Sequence, residues 1–116
     1  MNWFKRCNHE YKLYYKEKAY GSFRTTPDYN FLFVCSKCKK EISVKDQEIF
    51  DIYKDFEREE ARDSALGLTH FPKITFTVPM ALRFGDCNRL LHGYAAYRTK
   101  EYFLSRGIDI TELERS

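Results

Sequence analysis

FLFVCSKCKKEI, residues 31–42, is the stretch whose reading decides the fold. Four consecutive β-favouring residues, Phe31, Leu32, Phe33 and Val34, run straight into Cys35, and Cys38 follows after two more positions. A strand ending in Cys-x-x-Cys calls for a tight turn, with both sulfurs on one side of the loop and backbone N–H groups beside them. Lys39 to Ile42 then leave room for a short return strand. The stretch reads as a β-hairpin carrying two thiols at its tip.

Upstream, CNHEYKLYY (residues 7–15) places Cys7 and His9 one residue apart. Twenty-five residues separate His9 from Cys35, enough for an out-and-back excursion that returns the chain to its starting level. Two thiolates, an imidazole and a third thiolate in two close pairs suit a tetrahedral Zn²⁺. The expectation is a structural Zn²⁺ site made by Cys7, His9, Cys35 and Cys38. Two alternatives stand beside it: a buried free cysteine pair with His9 on the surface, and a redox dithiol. The dithiol fits poorly because this Cys-x-x-Cys begins no helix. Catalysis at the metal is not expected, since four ligands leave no open position and Glu10, adjacent to His9 on a strand, points to the opposite face.

Between the ligand pairs the sequence reads as strands. Tyr11, Leu13 and Tyr15 alternate with polar residues, and Gly21-Ser22 and Pro27-Asp28 are turn signals. From Ser43 the period changes. Ser43 and Asp46 form a Ser-x-x-Asp helix start, and Ile49, Ile52, Tyr53 and Phe56 share one helical face, predicting a helix over 44–65 that Gly67 ends. HFPKITFTVPM is β-type and bracketed by Pro72 and Pro79, so a short or edge strand is expected. Asp86 is a good N-cap for a second helix over 87–106, with Leu90, Leu91, Tyr94, Tyr97, Phe103 and Leu104 on its apolar face and Gly107 closing it. GIDITELERS adds one last turn. The fold class is α+β: zinc-ribbon-like antiparallel hairpins over 1–43, then two helices and a short β segment over 44–116, packed as one unit.

CNHEY and FVCSKCKK resemble the zinc ribbons of small phage and prophage proteins, which run Cys-x-His-x-aromatic and then an aromatic strand into Cys-x-x-Cys. Lys39 stands where those ribbons commonly carry Gly. The resemblance covers about residues 1–43 and implies a ribbon fold. It also implies a role among nucleic-acid binding, protein docking and structural stapling, in a host cell's cytoplasm.

Composition narrows the function further. Twenty aromatic residues in 116 exceed what so small a core comfortably hides, which favours an interaction surface. The net charge of +3 conceals three stripes. Residues 1–43 carry nine Lys/Arg against four Asp/Glu, residues 44–66 four against eight, and residues 67–116 seven against five. Lys12, Tyr14, Lys16, Lys18, Arg24, Lys37, Lys39 and Lys40 interleave cations with rings in the manner of a nucleic-acid face. Asp51, Asp55, Glu59 and Glu60 on the acidic helix can dock in a basic groove by mimicking nucleic-acid charge. A host protein complex, such as a polymerase or a defence nuclease, is the first expectation for a partner and nucleic acid the second.

No apolar run approaches the roughly 18–20 residues that span a bilayer, and MNWFKRCNHEYK lacks a signal peptide's apolar segment. A reducing cytoplasm, with thiols rather than disulfides, is therefore expected. No Gly-rich phosphate loop or His-Glu-x-x-His is present. Cys87 and His92, five residues apart, would lie out of register on a helix, and no enzyme is expected from them or from His70.

Overall fold

The computed structural model describes residues 8–19, 28–67, 74–82 and 85–115. It is α+β. β1 (Tyr11–Ala19), β2 (Asp28–Cys35) and β3 (Glu41–Lys45) form an antiparallel sheet in the order β1-β2-β3. Phe31, Phe33 and Cys35 alternate along β2 into the core, and Val44 joins them from β3 directly opposite Phe31. Period-2 alternation with one buried face is what sets this register.

β1 departs from simple alternation. Leu13 pairs with Phe33 but Tyr15 pairs with Leu32, so Tyr14 is an extra residue, a β-bulge. Tyr11 and Leu13 lie on the core side, while Tyr15 is carried to the outer face and is 45% exposed. The even-numbered stripe Lys12, Tyr14, Lys16, Lys18 is broken by the same bulge. Lys12 pairs with Val34 on the outer face, whereas Lys16 pairs with Phe31 and holds its ammonium 6.0 Å from the Tyr29 ring centre, on the other side.

β3 leads without a loop into α1 (Asp46–Ala65). The Ser-x-x-Asp signal is therefore displaced: Ser43 is a strand residue opposite Leu32, and the N-cap is Lys45, which makes no side-chain cap bond. Asp46 and Glu48 in the first turn suit the positive end of the helix dipole. Ile49 and Tyr53 are buried, and Ile52 and Phe56 pack against the same core.

The second helix begins later than its apolar spacing suggests. Residues 85–92 are a strand, β5 (Gly85–His92), antiparallel to β4 (Thr75–Leu82), and α2 runs only over Gly93–Leu104. Cys87, Arg89 and Leu91 alternate opposite Met80, Val78 and Phe76, all three of them buried. Arg89 disguises that alternation in the sequence. Its guanidinium lies 4.7 Å from the Phe50 ring centre, so a charged residue on the inner face covers an aromatic one. Asp86 is thus a strand residue and His92 the N-cap. Gly93 opens α2. A Cβ there would meet nothing within 4 Å, and its φ of +78° is what turns β5 into α2.

A 3₁₀ helix (Ile110–Arg115) ends the described chain. Before it, Ile108 makes a parallel bridge with Tyr11, and the Tyr11 N–H donates to the Gly107 carbonyl at 2.9 Å. Phe31 and Phe33 from the first sheet, Ile49 and Tyr53 from α1, Phe76 and Leu91 from the second sheet, and Phe103, Ile110 and Leu113 share one core. Among the described residues no helix is long and apolar enough to cross a membrane.

Candidate metal centre

The hairpin tip between β2 and β3 delivers two donors. Cys35 ends β2 fully buried, and Cys38 is exposed in the turn that follows. The turn is closed twice over: the Cys35 N–H donates to the Lys40 carbonyl at 2.9 Å, and the Lys39 N–H donates to the Cys35 carbonyl at 3.0 Å. Such closure needs a left-handed residue, and Lys39 takes it, at φ +66°. The left-handed position of this turn is thus held by a lysine rather than a glycine.

His9 arrives from the other side. The Ser36 N–H donates to the Glu10 carbonyl at 3.0 Å, which ties the segment before β1 to the knuckle. The imidazole stacks on Tyr11 with ring centres 5.0 Å apart, and its Nδ1 lies 3.4 Å from the Cys38 sulfur. The ligand atoms of His9, Cys35 and Cys38 all fall within 4.8 Å of one another. A tetrahedral ion bound by sulfur at about 2.3 Å and imidazole nitrogen at about 2.0 Å sets its ligand atoms about 3.5–3.8 Å apart. The three groups fit such an ion with small adjustments. Cys7 lies outside the described residues.

The electrostatics favour a cation. Burial pushes the Cys35 thiol up, but amide N–H groups of Cys38, Glu10 and Lys37 and the His9 ring outweigh it and hold the thiol at about 5. These contacts favour the thiolate, the form that binds metal. Cys35 and Cys38 are not joined as a disulfide.

Lys39 gives a direct check. A non-glycine residue in the left-handed region costs about 1–2 kcal/mol, and glycine loses about 0.5–1 kcal/mol of that advantage to the unfolded chain. Lys39→Gly is expected to leave stability unchanged or raise it by about 1 kcal/mol, and Lys39→Val to lower it by about 1–2 kcal/mol. Denaturant titration of the metal-loaded protein measures both.

Elsewhere the candidate residues are scattered. Lys37, Lys39 and Lys40 are exposed on the knuckle, with the Lys39 ammonium 3.3 Å from the Ser36 carbonyl. Tyr14 is 70% exposed in the bulge. Lys12 sits 3.3 Å from Glu10 and 3.9 Å from Glu112. The Lys18 backbone pairs with Tyr29, and Arg24 lies outside the described residues.

The acidic helix does not present its four carboxylates as one stripe. Asp51 and Asp55 are exposed, bonded to Gln47 and Arg58 on the same helix. Glu59 meets Arg98 of α2 at 3.3 Å, and Glu60, about 180° round from Asp51, lines a groove with Tyr53, Glu57 and His92. Cys87 and His92, an odd number of residues apart on β5, point to opposite faces, and His70 lies outside the described residues.

The role of Gly107 is the feature that sequence reasoning missed. It does follow α2, but its carbonyl also holds Tyr11, and the His9 backbone occupies the space that a Cβ at Gly107 would need. A glycine after a helix gave no hint of a contact nearly a hundred residues away. Compared with known proteins, the chain has no significant match to a protein-family model, a curated protein or a solved structure.

Proposed function

We propose that the chain is a non-catalytic binding module whose platform is stapled by Zn²⁺, with Cys7 completing the set of His9, Cys35 and Cys38. The observation that carries this reading is the convergence of three metal-donor side chains at a point where three backbone segments already meet. Thiolate and imidazole donors favour Zn²⁺ over harder ions. The site has the character of a staple rather than a reaction centre. Cys35 is fully buried, and the Glu10 carboxylate, the nearest candidate base in sequence, is turned to Lys12 at 3.3 Å.

The partner in this reading is a host protein complex, of the polymerase or defence-nuclease kind, met in the cytoplasm of an infected bacterium. The resemblance of residues 1–43 to phage ribbons motivates that choice. The exposed carboxylates of Asp51 and Asp55 are the part of α1 open to a basic groove. Affinity capture from the source cell at physiological salt, with metal content measured on the same preparation, tests it. Asp51→Lys combined with Asp55→Lys is expected to reduce recovery of the partner at least about tenfold. Undiminished recovery would remove the acidic helix from the interface.

A nucleic-acid partner is the second reading, favoured by one arrangement. Lys37, Lys39 and Lys40 are all exposed on the knuckle, and Tyr14, in the bulge of the neighbouring strand, is exposed too. Under this reading, oligonucleotide affinity falls steeply between low and moderate salt as counterions are released.

A further inference from the structure

The bulge in β1 creates a surface that neither the metal site nor the acidic helix uses. On the outer face of the three-stranded sheet the register lays out three rows: Lys12–Val34–Glu41, Tyr15–Leu32–Ser43, and Glu17–Asn30–Lys45. Its middle is apolar, with Tyr15 45% exposed and Leu32 and Val34 half-buried. Its four corners are exposed charges. Strand spacing and rise put those corners on a rectangle of roughly 10 by 14 Å.

The corner charges alternate in sign around that rectangle. Lys12 and Lys45 occupy one diagonal, Glu41 and Glu17 the other. Lys12 also has Glu10 and Glu112 beside it at the sheet edge, and Glu17 accepts a bond from the Asn30 amide at 3.4 Å. Glu41 and Lys45 make no ion pair among the described residues.

This pattern complements itself. Two identical sheets laid face to face are related by a two-fold axis in the plane of contact. With the axis along the strands, Lys12 meets Glu41 of the second copy and Glu17 meets Lys45. With the axis across the strands, Lys12 meets Glu17 and Glu41 meets Lys45. In both arrangements every corner faces its opposite sign and Leu32 stacks on Leu32, while Val34 meets its own copy when the axis runs along the strands and Asn30 when it runs across them. A polyanion would meet two carboxylates on the same patch and gain nothing from its net charge.

We propose that this face is a self-association surface, through which two copies pack sheet on sheet in the aligned geometry of a β-sandwich. It is small, burying roughly 1,000 Å² or less in total, below the range of tight complexes. The dimer is accordingly weak, with a Kd in the micromolar range.

Charge reversal tests the proposal on the metal-loaded protein, with circular dichroism and bound metal confirming that each variant is folded. Sedimentation equilibrium from about 1 to 300 µM is expected to show a monomer–dimer equilibrium. Lys45→Glu, at an exposed position, weakens it at least about tenfold, because both symmetry-related contacts become repulsive. One second reversal then restores the dimer: Glu17→Lys if the axis runs along the strands, Glu41→Lys if it runs across them. A monomer at every concentration overturns the proposal, as does a Lys45→Glu dimer of unchanged strength or failure of both second reversals. An oligonucleotide that shifts the NMR signals of Tyr15 and Leu32 where no dimer forms also overturns it, in favour of the nucleic-acid reading.

Discussion

Stripping the metal with a strong chelator, or replacing Cys35 by serine, is expected to abolish the folded state rather than loosen one end of it. Structural zinc contributes on the order of 10 kcal/mol or more to folding, while the whole net stability of a domain this size is about 5–15 kcal/mol. The site lies against the main core, not on an appendage. Cys35 itself is a core residue, Tyr11 pairs with it across the sheet, and Phe31 and Phe33 precede it on the same strand. Unfolding should therefore reach α1 and the second sheet, read as loss of helical circular dichroism together with tyrosine signal. Cys38→Ser should behave the same way with weaker consequences for packing, since that sulfur is exposed. Cys87→Ser is the control. It removes a half-buried thiol opposite Met80, and its cost of about 1 kcal/mol is that of an ordinary substitution. A chelated protein that keeps its full helical signal would show that the core folds without the ion and would end the stapled-platform reading.

What could be read from the sequence follows from how local each signal is. Cys35 and Cys38 declare themselves because donor type and spacing are set within four residues, and His9 because imidazole near a thiol is uncommon. Residues 31–34 were legible as a strand, and Ile49, Ile52, Tyr53 and Phe56 as a helical face, since both patterns repeat within a dozen residues. Two features resisted. The β1 bulge adds one residue at Tyr14 and swaps the faces of everything after it, yet YKLYYKEK alternates acceptably with or without the insertion. β5 was hidden by Arg89, whose inward position makes sense only once Phe50 on α1 is there to receive its guanidinium. Both are tertiary decisions, made by a partner strand and a partner ring that local spacing does not reveal.

Gly107 is a further residue on which the site depends. Two glycines take positive φ near α2, Gly93 at +78° and Gly107 at +83°, and each would strain an alanine by about 1–2 kcal/mol. They differ in their surroundings. A Cβ at Gly93 has open space, so Gly93→Ala is expected to cost that strain alone. A Cβ at Gly107 would stand 2.9 Å from the His9 carbonyl carbon and closer still to its oxygen, a contact that only backbone movement relieves. That backbone has no free direction, because the Glu10 carbonyl is tied to Ser36 and the Tyr11 N–H to Gly107 itself. Gly107→Ala is expected to destabilise the protein by roughly 3 kcal/mol or more, and to push His9 away from Cys35 and Cys38. Metal affinity should fall at least about tenfold, the scale seen when a group that orients a ligand is lost, although the substituted residue binds no metal. Competition with a chromophoric chelator measures that affinity, and denaturant midpoints of the two alanine variants measure the strain. Equal losses in the two variants, with metal affinity intact in both, would mean that the α2 terminus does not hold the histidine in place.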